Sequence, residues 1–72
     1  MALAKNSLAL CIQALGDRLY DSNPLIRSKA AQSLAELADE AVIPILCKAL
    51  DNEPNPDVVC QIMDAIVLIR AC

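Results

Sequence analysis

Histidine, phenylalanine and tryptophan are absent from this chain of 72 residues, and glycine and tyrosine each occur once. Without histidine the chain lacks the commonest general base and a common zinc ligand. The single glycine, Gly16, excludes a glycine-rich phosphate loop and argues against an all-β fold with tight hairpins. We therefore predict a protein that is not an enzyme, with no catalytic residues, no metal site and no cofactor.

Long apolar runs and basic stripes are also missing. The longest apolar runs, AVIPILC and AIVLI, are far shorter than the roughly 20 residues of a membrane-spanning helix. The net charge is −3, made up of +1 over the first 37 residues and −4 over the remaining 35. A nucleic-acid-binding protein needs a positive patch that can face phosphates. We predict neither a membrane nor a nucleic acid as partner.

Four cysteines are present, but no two are spaced as in C-x-x-C, so their spacing does not suggest a zinc site. The apolar stretch after Lys5 is broken at Gln13, which is too early for an export signal. We therefore expect a cytoplasmic protein whose thiols are reduced and act as small apolar groups on helix faces. These residues are Cys11, Cys47, Cys60 and Cys72.

Alanine, leucine and isoleucine dominate what remains, and they recur at steps of three and four residues, which is the spacing of one helical face. Asn23-Pro24 and Asn55-Pro56 are start signals, because asparagine caps helices and proline suits the first helical position. The pattern predicts four helices, at about 7–20, 24–38, 41–51 and 56–71. Short connections make successive helices antiparallel.

The two halves of the chain repeat each other. Leu15 and Leu19 correspond to Leu46 and Leu50 at an offset of 31 residues, whereas the second helices correspond at an offset of 32. A period of this length built from two helices is typical of an α-solenoid. We predict an all-α fold of two stacked antiparallel helix pairs in one domain, 1–72, with repeats at about 8–38 and 40–71.

The residues of these repeats resemble HEAT repeats, in particular the short variety of phycobilisome-lyase-like proteins. That resemblance implies a right-handed superhelix, and a ladder between repeats formed by Asp21 and Arg27. Val59 replaces the arginine in the second repeat, and Asp51 or Asn52 is expected at the acid position. The resemblance rests on Leu19, Asp21, Pro24, Ile26, Arg27, Ala30, Ala31 and Leu34, and on Ile43, Pro44, Ile45, Leu46, Ala49 and Leu50.

The resemblance also implies a function, which is protein binding on a concave surface lined by the second helix of each pair. That surface is expected to be acidic toward its C-terminal end. In the turn between the third and fourth predicted helices, Asp51, Glu53 and Asp57 are interpreted as solvated charges. An accessory role in a phycobilin lyase, or as a phycobiliprotein chaperone, is an alternative. The residues implied for the concave surface are Lys29, Gln32, Ser33, Glu36, Gln61, Asp64 and Leu68.

The last helix is apolar on more than one side and needs a cover. Three alternatives remain for what packs against this helix: further repeats of a longer solenoid, another copy of the chain in a homo-oligomer, or a protein partner. The residues expected to meet this cover are Val59, Met63 and Val67.

Overall fold

The structure is a computed structural model, and it describes residues 2–71, with side-chain burial defined for residues 8–71. Its helices are α1 (Ala2–Arg18), α2 (Pro24–Leu37), α3 (Ile43–Asn52) and α4 (Pro56–Ala71). A short 3₁₀ turn, Glu40–Val42, precedes α3. No strand occurs within residues 2–71. The predicted all-α fold of four helices in two pairs is confirmed.

The first helix begins at Ala2, five residues before the predicted start. Asn6 and Ser7 are residue types that often cap helices, but both lie inside α1 and neither marks its start. The residues before them, Ala2 to Ala4, are strong helix formers, and nothing among them ends a helix. A capping residue therefore marks a start only where the residues before it cannot continue the helix.

The Asn-Pro signals do mark the starts of α2 and α4. Asn23 Oδ1 accepts a hydrogen bond from the Leu25 N–H at 3.0 Å. Asn55 Oδ1 accepts from the Asp57 N–H at 2.9 Å. In both helices the proline takes a position whose N–H would have no partner inside the helix. The two starts therefore share one local construction.

The end of α2 is marked by a residue that sequence patterns do not single out. Ala38 adopts the left-handed conformation, with φ of 53°, and its N–H donates to the Ala35 carbonyl. Asp39 Oδ1 then accepts from the Ala41 N–H at 2.9 Å and begins the 3₁₀ turn. Pro44 lies in the first turn of α3, where proline is tolerated. The first repeat thus ends at an alanine in the left-handed conformation that glycine usually adopts at helix ends.

One core joins both helix pairs, and α2 lies in its middle. This helix packs against α1 and against α4, and α3 packs against α4. Ala30 and Ala31 are buried on α2, and their small side chains let the neighbouring helices approach closely. Burying one leucine fully stabilises the fold by about 2 kcal/mol. The core comprises Leu19, Ala30, Ala31, Leu34, Val42, Leu46, Ala49, Val58, Ile62, Ala65 and Ile69.

Candidate protein-binding surface

A buried ion pair fixes how the two helix pairs sit against each other. Arg27 at the start of α2 donates from Nε to Glu53 Oε1 at 2.8 Å and from a terminal nitrogen to Oε2 at 3.0 Å. Its other terminal nitrogen donates to the backbone carbonyls of Asp21 and Ser22, at 2.7 and 3.2 Å. The planar guanidinium suits this fork-shaped contact. Arg27 therefore links its own turn to the turn of the second repeat.

The carboxylate in this pair is not one of the two expected candidates. The Glu53 side chain is only 2% exposed, so interpreting it as a solvated turn charge was wrong. Asp51 and Asn52, expected at the acid position, are exposed residues at the end of α3. Asp21 belongs to the same network, but through its carbonyl oxygen, which accepts from Arg27.

The two turns are nevertheless equivalent. The Asp21 carboxylate accepts from the Asn23 N–H at 2.9 Å, and the Glu53 carboxylate accepts from the Asn55 N–H at 3.0 Å. Both acids lie two residues before the capping asparagine, so they correspond at an offset of 32. The extra residue of the second turn thus lies before Glu53. Aligning the turns on their asparagines would have found this residue in the sequence.

The residues expected to face a partner all lie on α2 or α4, but the structure places them at different openings. Gln32, Glu36 and Leu68 line one cleft of about 340 Å³ together with Ala35. This is the α2–α4 cleft. Gln61 and Asp64 lie on α4, half-buried and exposed respectively.

The other two expected residues lie at a second opening. Lys29 and Ser33 line a groove of about 210 Å³ between α1 and α2, together with Leu15, Arg18 and Ile26. Ala30 also lines this opening, which is called the α1–α2 groove below. Sequence reasoning did not single out this groove, because it assigned both residues to the concave surface alone.

Sequence comparison supports the architecture seen here. The chain matches the sequence model described as HEAT repeats over residues 1–70. The chain belongs to the HEAT repeat family. No curated protein and no solved structure matched it. Members of this family generally mediate protein–protein interactions and are typically non-enzymatic.

The thiols of this HEAT-repeat chain are separate from one another. Cys11, Cys47 and Cys60 are free and exposed, whereas Cys72 lies outside the described residues. These three thiols lie on exposed faces of their helices and are not part of the core. Within residues 2–71, no group of three or more histidine, cysteine or acidic side chains is placed to hold a metal ion.

The outer side of α4 in this HEAT-repeat chain is largely uncovered. Met63 is 52% exposed and Val67 is 63% exposed, whereas Val59 is half-buried. None of the described helices is both long and apolar enough to cross a membrane. Exposed apolar residues that are contiguous on one helix are characteristic of interaction sites.

Proposed function

We propose that this chain is a non-catalytic scaffold that binds a protein partner on the surface formed by α2 and α4. The observation that carries the proposal is the α2–α4 cleft, where apolar and polar side chains meet in one opening. The side chains of Ala35 and Leu68 form the apolar wall of the cleft. Gln32 and Glu36 contribute its polar groups. Pockets with mostly apolar walls and a few polar groups are the usual form of binding sites.

The charge of the surface indicates the chemistry of the partner. Glu36 and Asp64 are exposed on α2 and α4, and the second half of the chain carries a net charge of −4. Complementary charge speeds association and selects partners. We propose a partner segment with apolar side chains for the cleft and lysine or arginine at its edge, with Gln61, Ser33 and Lys29 extending the contact.

A rigid scaffold is needed for such a surface, and the ion pair supplies it. Arg27 and Glu53 hold the beginning of α2 against the turn that leads into α4. The two helices that form the cleft are therefore fixed relative to each other before a partner arrives, which reduces the entropy lost on binding. We propose that 1–72 acts as a single domain for this reason.

Partner binding can be tested with a library of displayed protein fragments from the source organism. Fragments selected on the chain would be measured against Glu36→Lys, and against Asp17→Lys as a control with the same change in charge on exposed α1 surface. We expect Glu36→Lys to weaken binding at least about tenfold, because it removes charge complementarity at the cleft. Equal weakening by both variants, or by neither, would contradict the proposed surface.

An accessory role in handling a bilin is the second candidate, and the exposed thiol of Cys60 is the observation that favours it. Mixing the chain with a bilin should then change the absorbance of the pigment, and Cys60→Ser should remove the change. An unchanged spectrum at high micromolar protein would eliminate this role.

The free thiols are also the basis for proposing a reducing, cytoplasmic location.

A further inference from the structure

One side of α2 is the side on which the two repeats meet. Arg27 reaches across to Glu53 from this side. Residues four and eight positions further along a helix lie on the same side, and these are Ala31 and Ala35. Ala31 is fully buried and Ala35 packs against the core. The first repeat therefore presents one arginine and two alanines to the second repeat.

The corresponding side of α4 is apolar and open. At the offset of 32 that relates the second helices, the three positions just described are occupied by Val59, Met63 and Val67. These three residues are called the α4 ridge. Met63 and Val67 are more than half exposed. The α4 ridge is thus the same kind of face that α2 buries, with larger side chains and without the arginine.

The opposite end of the molecule carries the complementary face. Leu15 and Arg18 on α1, and Ile26, Ala30 and Ser33 on α2, line the α1–α2 groove. At offsets of 31 for the first helices and 32 for the second, all five correspond to buried residues of the second repeat. Those residues are Leu46, Ala49, Val58, Ile62 and Ala65.

We propose that the α4 ridge of one copy of this chain docks into the α1–α2 groove of a second copy. The contact repeats, between molecules, the contact that joins the two repeats within one molecule. It uses surfaces at the two ends of the stack and none of the residues that line the α2–α4 cleft, and it shares only Ser33 and Lys29 with the proposed partner contact.

Side-chain size supports this pairing. The α4 ridge has Met63 and Val67 where α2 has two alanines, so it projects further than the face that is already paired. The groove has Ala30 where the second repeat has Ile62, which leaves space of about 210 Å³ in all. The larger ridge therefore has space to enter at Ala30, whereas Arg18 at the edge of the groove is longer than its counterpart Ala49 and can contact the ridge with its aliphatic part.

Charge supports the same pairing. The first 37 residues carry a net charge of +1, and Arg18 and Lys29 border the groove. The remaining 35 residues carry −4, and Asp64 is exposed next to Met63. Docking head to tail brings these unlike halves together, whereas docking ridge to ridge would bring two acidic halves together.

The geometry of the contact predicts what assemblies form. A contact between two different surfaces leaves one ridge and one groove unused in every pair, so further copies can add. The mean mass should therefore rise with concentration past that of a dimer. Added salt should weaken the association, because it screens the charges.

Sedimentation velocity tests the inference across a concentration series from low micromolar to near millimolar, with reductant present so that exposed thiols cannot cross-link. Val67→Glu places a charge on the ridge, and Ser33→Glu places a side chain with charge in the groove. Gln13→Glu, on exposed α1 surface, is the control with the same change in charge. We expect the first two to weaken self-association at least about tenfold and the control to leave it unchanged.

Mixing the two variants decides the polarity of the contact. Val67→Glu keeps an intact groove and Ser33→Glu keeps an intact ridge, so an equimolar mixture should form a complex of two copies that grows no further. A wild-type chain that is monomeric at every concentration would overturn the inference, as would a Ser33→Glu chain that dimerises alone. Helical content by circular dichroism checks folding, and Met63→Glu replaces Val67→Glu if that variant loses helix.

Discussion

Removing the guanidinium of Arg27 is the sharpest test of how the repeats are joined. The Arg27→Ala chain would retain the Glu53 carboxylate, which is 2% exposed, with the Asn55 N–H as a remaining partner. Leaving one member of a buried pair uncompensated costs about 3–5 kcal/mol. Because Arg27 itself is 13% exposed and water can reach the vacated site, we expect the lower end, about 3 kcal/mol.

That loss is large for a domain of this size. A chain of 72 residues has a free energy of unfolding of about 4–11 kcal/mol. Urea denaturation followed by circular dichroism should show a clearly lower midpoint for Arg27→Ala. Lys29→Ala removes an exposed cation two residues along the same helix, and we expect it to change stability by less than about 0.5 kcal/mol.

A double-mutant cycle separates the pair from the cost of truncation. The losses of unfolding free energy measured for Arg27→Ala and for Glu53→Ala should add up to more than the loss measured for the double variant. We expect the difference, which is the coupling free energy, to be about 2 kcal/mol. A coupling below about 0.5 kcal/mol would mean that the pair does not join the repeats energetically. The reasoning about the rigid scaffold would then be refuted.

Three smaller predictions concern the backbone, all measurable by thermal or urea unfolding. Ala38→Gly should raise the free energy of unfolding by about 1 kcal/mol, because φ of 53° strains alanine; no gain would contradict this. Gly16→Ala should add about 0.5–1 kcal/mol, since the new Cβ would lie 3.5 Å from Ile45 Cγ2, an ordinary contact; a loss would indicate overpacking. Asn23→Ala should cost about 1 kcal/mol by removing the cap on the Leu25 N–H, whereas Asn23→Gly should cost only a few tenths.

Much of the fold could be predicted because periodicity and capping point to the same elements. The starts of α2 and α4 were predicted at the residue where they occur, since Asn23-Pro24 and Asn55-Pro56 are local signals. The start of α1 could be predicted only approximately, because several residues there permit a helix and none of them ends one. The end of α2 was placed within one residue, but no glycine or asparagine in the sequence signals the left-handed conformation of Ala38.

The residues of the candidate site were harder to predict from the sequence than the helices were. An apolar side of α4 without a cover in its own repeat pair could be predicted from the sequence, and Met63 and Val67 on that side are exposed. The partner of Arg27 did not follow, because it depends on which residue of an irregular turn points inward. A proline-rich turn such as NEPNP allows several arrangements, and only the three-dimensional structure shows that Glu53 is covered.

The central position of α2 has a consequence for how the molecule opens. Both α1 and α4 pack against this one helix. If the second repeat unfolded alone, it would therefore expose the side of α2 that α4 covers. We expect α1, whose main neighbour is α2, to detach first in hydrogen exchange, and the amides in the middle of α2 and α4 to exchange last. We therefore expect the two repeats to unfold as one cooperative unit, with α1 as its least protected helix.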